Sequence, residues 1–155
     1  MNIPDNIPDN VGAGSVFAFA HEGFEVKIRV VDDEDADTSW LGEFSDSPQE
    51  GAIDHHATDT WLARGWRGPR YFNPVNPECG QEDYERLVAM YQGHWSMVGL
   101  TVTVYREGVE LGAASLWGIE SDSGHDYFCE TIAEELVPEA IGQAKKTIER
   151  LCACE

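Results

Sequence analysis

Val98-Gly99-Leu100-Thr101-Val102-Thr103-Val104-Tyr105-Arg106-Glu107-Gly108-Val109-Glu110-Leu111 is the stretch on which the fold turns. Leu100, Val102 and Val104 alternate with threonines and share one face of a strand. Glu107-Gly108 makes a turn, and residues 109–119 form the return strand, where Gly112, Ala113 and Ala114 leave room for a bulge or for a helix packed close. Ser121-Asp122-Ser123-Gly124 then offers N-cap oxygens, and Ser123 followed by Asp126 resembles a weak capping box. Phe128, Ile132, Leu136, Ala140, Ala144, Ile148 and Leu151 line one stripe of the helix that follows. Pro138 lies inside it and predicts a kink or a two-piece helix, because proline removes one hydrogen bond and crowds the carbonyl of Glu134. Lys145, Lys146 and Arg150 suit the negative end of the dipole. Opposite the stripe stand Glu130, Glu134, Glu135 and Glu139, an acidic ridge.

Upstream, residues 15–20 and 24–30 flank His21-Glu22-Gly23 as a second hairpin, with Phe24, Val26, Ile28 and Val30 on one face and Glu25, Lys27 and Arg29 on the other. Tyr84, Leu87, Val88 and Tyr91 recur at helical spacing over residues 82–92; acids open that helix and Gly93 closes it. Residues 45–77 are punctuated by glycine and proline, and no clear strand or long helix emerges there. The repeated Asn-Ile-Pro-Asp of residues 2–9 reads as part of a flexible N-terminal tail spanning residues 1–14. These patterns predict one α+β domain over residues 15–155. Its single antiparallel sheet has about four or five strands, covered by the short helix and the long, kinked C-terminal helix.

With 155 residues, the chain is long enough for one self-sufficient core. Its 29 acidic against 10 basic residues give a formal net charge of −19. Such a field repels nucleic acid, anionic membranes and phosphorylated substrates and attracts a basic surface, although an ordinary solvated acidic surface has the same composition. The absence of a long apolar run or a signal-type start predicts a soluble protein, located in the cytoplasm. Cys79, Cys129, Cys152 and Cys154 lack framework spacing and are expected to be reduced.

Three clusters carry the candidate chemistry. Asp32, Asp33, Glu34, Asp35 and Asp37 place five carboxylates in six residues. Thr38 stands where a calcium loop needs its glycine and Phe44 where it needs its bidentate glutamate, so the cluster reads as a solvated strip of charge that suits a partner's arginines. Just beyond it, Trp40 and Phe44 read as core aromatics. Arg64, Arg67 and Arg70, interleaved with Trp61, Trp66 and Tyr71, form the one basic island, a contact patch for a partner or a set of cations for the chain's own acids. His55 and His56 are adjacent without zinc spacing and read as exposed loop histidines, whereas His125 and Cys129, four apart, are half of a zinc site. No phosphate loop, nucleophile elbow or Rossmann fingerprint is present, and no metal ligand set or cofactor is predicted.

Ser39-Trp40-Leu41-Gly42-Glu43, Trp95-Ser96-Met97-Val98-Gly99-Leu100-Thr101-Val102 and Leu111-Gly112-Ala113-Ala114-Ser115-Leu116-Trp117-Gly118-Ile119-Glu120-Ser121-Asp122-Ser123 together resemble small acidic proteins encoded by bacteriophages and other mobile elements. The resemblance spans residues 26–148 and brings no catalytic residues. It implies a setting in a bacterial cytoplasm. With the charge, it leads to the expectation of a non-enzymatic inhibitor of a nucleic-acid-binding defence complex, of anti-CRISPR or anti-restriction type. The 32–37 loop and the helical glutamates would meet the basic channel of that complex, without direct contact to nucleic acid or membrane. Two other readings stay open: a metal-dependent enzyme using His55, His56, His94, His125 and Cys129 with nearby acids, or an oligomeric phage structural or adaptor protein.

Overall fold

The computed structural model describes residues 1–60 and 62–154. The chain gathers into two compact units, Met1–Ala36 with Ser96–Glu155, and Asp37–Trp95. The first unit contains β1 (Val16–His21), β2 (Phe24–Asp32), β6 (Met97–Arg106), β7 (Val109–Glu120), α2 (His125–Thr131) and α3 (Val137–Ala153). The second contains β3 (Gly42–Ser45), β4 (Ile53–Asp54), β5 (Tyr71–Pro74) and α1 (Gly80–Tyr91).

In the first unit four antiparallel strands lie in the order β1-β2-β6-β7. The α+β class and the antiparallel sheet built from two hairpins are as the periodicities predict. Both hairpins close through Glu-Gly with positive φ at each residue, 50° and 79° at Glu22-Gly23 and 51° and 79° at Glu107-Gly108. That is the twist-matched two-residue turn. Phe24, Val26, Ile28 and Val30 are buried, as are Val98, Leu100, Val102 and Val104 on the neighbouring strand. Each such side chain contributes roughly 1.5–3 kcal/mol by leaving water.

The C-terminal helix covers this face. Pro138 is accommodated by a π-helical turn over Ile132–Leu136, in which the Val137 N–H reaches the carbonyl of Ile132. The wider turn also keeps the stripe in phase. A strict four-residue repeat drifts by roughly 40° per step on 3.6 residues per turn, and one π turn takes up much of that drift. Phe128, Ile132, Leu136, Ala140 and Ala144 are all buried, while Leu151 at the end of the expected stripe is 62% exposed.

Residues 1–14, expected as a loose tail, are packed into this core: Ile7 and Val11 are 3% and 1% exposed. Val11 N–H donates to Ser121 O at 2.8 Å and Gly124 N–H to Asp9 O at 3.0 Å. The prolines that suggested disorder also space Ile3, Ile7 and Val11 four residues apart, and Ile3 packs against the same cluster.

The second unit holds a three-stranded antiparallel sheet, β3-β5-β4, of which β4 and β5 lie inside the region where no strand was readable. Its core includes Leu41, Phe72, Tyr84, Leu87 and Trp95. The short helix α1, expected over the main sheet, packs here against β4 and β5, burying Tyr84, Leu87 and Val88. Trp40 is 49% exposed and is not a core residue, whereas Phe44 is half-buried against Phe72. No helix among the described residues is long and apolar enough to cross a membrane.

Candidate functional site

The acidic loop is only partly free. Asp33 is tied into the sheet: its N–H donates to Met97 O at 3.0 Å and its Oδ2 accepts the Gly118 N–H at 2.8 Å. In the second unit the Asp37 carboxylate accepts the Ser39 N–H at 2.8 Å and the Ser39 hydroxyl at 2.9 Å. Those bonds, the backbone one first, hold its pKa below the usual carboxylate value. Asp32, Glu34 and Asp35 are exposed and make no ion pair among the described residues.

The ridge is cleaner. Glu130 stands on α2, Glu134 and Glu135 on the π turn and Glu139 on α3. All four are exposed, and no base within the described residues pairs with any of them. The reason is local: they are out of phase with the buried stripe, and the first lysine of α3, Lys145, pairs instead with Glu22 at 3.2 Å.

The basic island is largely neutralised by its own unit. Arg70 grips Asp54 with both Nε and Nη2, at 3.1 and 2.8 Å, and stacks over Tyr71 at 5.3 Å. This fork lowers the pKa of Asp54 and raises that of Arg70. Arg64 meets Asp59 at 3.1 Å. Trp66 donates from Nε1 to Pro69 O at 2.8 Å and sets its ring against Phe44 and His55. Arg67 is exposed and makes no ion pair among the described residues, and Trp61 lies outside them.

Two histidines take roles that spacing did not reveal. His55 is fully buried, which corrects its reading as an exposed loop residue; His56 is exposed. His55 Nδ1 lies 2.6 Å from the Tyr84 hydroxyl, which is 2.9 Å from the Thr58 hydroxyl. The Thr58 proton goes to His55 O at 2.7 Å. Thr60 Oγ1 lies 3.3 Å from both the Thr58 and the Tyr84 hydroxyls, so His55, Thr58, Thr60 and Tyr84 share one hydrogen-bonded cluster. His55 Nε2 is buried without a hydrogen-bond partner among the described residues. Burial, then the neighbouring His56, lowers the His55 pKa.

A base whose pKa is lower in the folded chain binds its proton more readily when unfolded, so acid favours unfolding. The second unit is expected to lose stability as the pH falls below about 6.5, the ordinary histidine value. In His55→Phe that slope should flatten, as followed by urea unfolding monitored through tryptophan fluorescence at successive pH values. An unchanged slope in the variant would assign the acid sensitivity elsewhere.

His125 anchors the N-terminal segment. Its N–H donates to Asp9 Oδ1 at 2.9 Å, and its Nδ1 donates to Ile7 O at 2.6 Å, since a carbonyl only accepts. Nε2 faces Cys129 Sγ at 3.5 Å. Burial, followed by the charges of Asp126 and Asp5, raises the thiol pKa, the opposite of what an activated nucleophile requires. The pair gains no further ligand: among the described residues no three His, Cys, Asp or Glu side chains come together to hold a metal. All four cysteines are free. No family model, curated protein or solved structure matches the chain.

Proposed function

We propose that the protein is an acidic, phage- or plasmid-encoded binding protein that inhibits a bacterial nucleic-acid-binding defence complex by presenting carboxylates to its basic channel, in the manner of anti-CRISPR or anti-restriction proteins. The observation that carries this reading is the ridge of Glu130, Glu134, Glu135 and Glu139, exposed and without an ion pair among the described residues, on one continuous helical rod. At about 1.5 Å of rise per residue the ridge is roughly 14 Å long, a mean interval of about 4.5 Å between charges. Phosphates of one DNA strand follow each other at about 3.4 Å along the axis, a comparable density. The net charge of −19 adds long-range steering toward a basic partner. The resemblance to small acidic proteins of mobile elements supplies the bacterial setting.

The test is affinity capture from a bacterial host carrying such defence complexes, at low and high salt. A basic nucleoprotein should be retained at low salt and released as the ionic strength rises. Replacing the four ridge glutamates by glutamine should weaken binding by roughly thirtyfold, taking about 0.5 kcal/mol for each exposed pair. Capture that is indifferent both to salt and to this replacement would refute the role of the ridge.

A further inference from the structure

The two edges of the four-stranded sheet are finished differently. β7 has register breaks in its pairing with β6, and two of its amides are met by side chains. The Ala113 N–H donates to Gln143 Oε1 at 3.4 Å and the Gly118 N–H to Asp33 Oδ2 at 2.8 Å. β1 lacks these protections. Its sequence, Val-Phe-Ala-Phe-Ala-His, has no carboxylate, lysine, arginine or proline, and its pairing with β2 is unbroken. Those are the devices by which edge strands ordinarily avoid association.

The Val30 N–H donates to Ser15 O at 2.9 Å, which sets the alternation along β1. Phe17, Phe19 and His21 bond to β2, and the N–H and C=O groups of Val16, Ala18 and Ala20 point away from the sheet. The side chains of these last three are exposed.

We infer that β1 is a pairing edge for a second copy of this chain, joined antiparallel about Ala18 to give one continuous eight-stranded sheet. A two-fold axis at Ala18 sets Val16 opposite Ala20 of the other copy and Phe17 opposite Phe19, so a single strand supplies both halves of the contact. On the helix-covered face Phe17 and Phe19, only partly buried within one chain, become cross-strand aromatic pairs. On the open face Arg29 is the β2 neighbour of Val16, and Glu25 is the neighbour of Ala20. The same register therefore brings Arg29 of each copy toward Glu25 of the other. They lie three strand spacings apart, about 14 Å, with only valine and alanine between them, a gap that two long side chains bridge. Arg29 has no ion pair within the described residues, so this charge is available. Lys27, which would face its own counterpart across the axis, is held by Glu25 at 3.6 Å and lies over the Tyr105 ring at 5.0 Å. Salt screens the repulsion between two acidic chains, so pairing should strengthen as ionic strength rises, the opposite of binding to a basic partner.

The experiment is sedimentation equilibrium of the full chain in moderate salt, with Ala18→Pro and Ala18→Lys beside the wild type. Proline removes only an outward donor, and lysine places like charges at the axis, so neither touches the β1–β2 bonds. The wild type should sediment at twice the 17.2 kDa of one chain. Both variants should associate at least roughly tenfold more weakly, with an unchanged circular dichroism spectrum. Hydrogen exchange on the wild type gives a reading independent of the variants: the Val16, Ala18 and Ala20 amides should slow with rising protein concentration. A wild type that stays monomeric, a dimer that survives both substitutions, or fast exchange at those amides in the dimer would each overturn the proposal.

Discussion

Gly112→Ala is expected to destabilise the sheet-and-helix unit by about 3 kcal/mol, the upper end of what one added methyl costs in a packed interior. A Cβ at position 112 would stand 2.2 Å from Ala140 O and 2.7 Å from Ala144 N. Both are backbone atoms of α3, so no side chain can rotate away, and the helix itself must move off the strand. Moving it loosens Val137, Ala140, Ile141 and Ala144, all of which pack in the core. Gly142, on the same helix with nothing within 4 Å of its own Cβ position, is the matched control and should accept alanine without loss. The comparison is of urea midpoints, with the slope unchanged if only stability has shifted. A Gly112→Ala midpoint indistinguishable from wild type would mean that the close approach of strand and helix is not maintained in solution.

Ile7→Ala should cost about 2–5 kcal/mol, the usual range for emptying a buried isoleucine site. Ile7 is 3% exposed inside the main cluster, and its carbonyl accepts the hydrogen bond from His125 Nδ1. Deleting residues 1–11 removes Ile3, Ile7 and Val11 together with both Asp9 contacts to Gly124 and His125. Since whole domains retain only about 5–15 kcal/mol, the truncated chain should lack a cooperative transition in the first unit. Circular dichroism in urea decides this. A loose tail would tolerate both changes within about 0.5 kcal/mol, as surface substitutions do.

Much of the fold was legible because its signals are local. The Glu-Gly turns are read from two adjacent residues, and the alternation from Leu100 to Val104 and the four-residue spacing from Phe128 to Ala144 each predict a buried face that the structure contains. The exposure of the ridge follows from the same phase. The π turn was half legible: Pro138 signals a disturbance, but a kink and a wider turn satisfy the missing donor equally well, and only packing of the whole stripe selects between them.

The second unit was the least readable part. β3 and β5 are four residues each, and Phe44 finds Phe72 across 28 positions of chain, beyond any periodic window. The burial of His55 depends on Tyr84, Trp66 and Phe44, none of which is near it in sequence. Arg70 and Asp54, sixteen residues apart, belong to the same class, and their pairing turns an apparent cationic patch into a largely neutral one.

By itself the sequence determined the net charge of −19, the alternating strands with their turns, the phase of the C-terminal stripe and therefore the outward set of glutamates. These depend on hydrogen bonds and side-chain directions that repeat over two to four residues. Only the tertiary structure decided that Asp37–Trp95 forms its own unit, that the Ile3, Ile7 and Val11 segment belongs to the core, and which acids remain unpaired. Those outcomes rest on which distant groups exclude water from one another, a property of the folded chain that no short window contains.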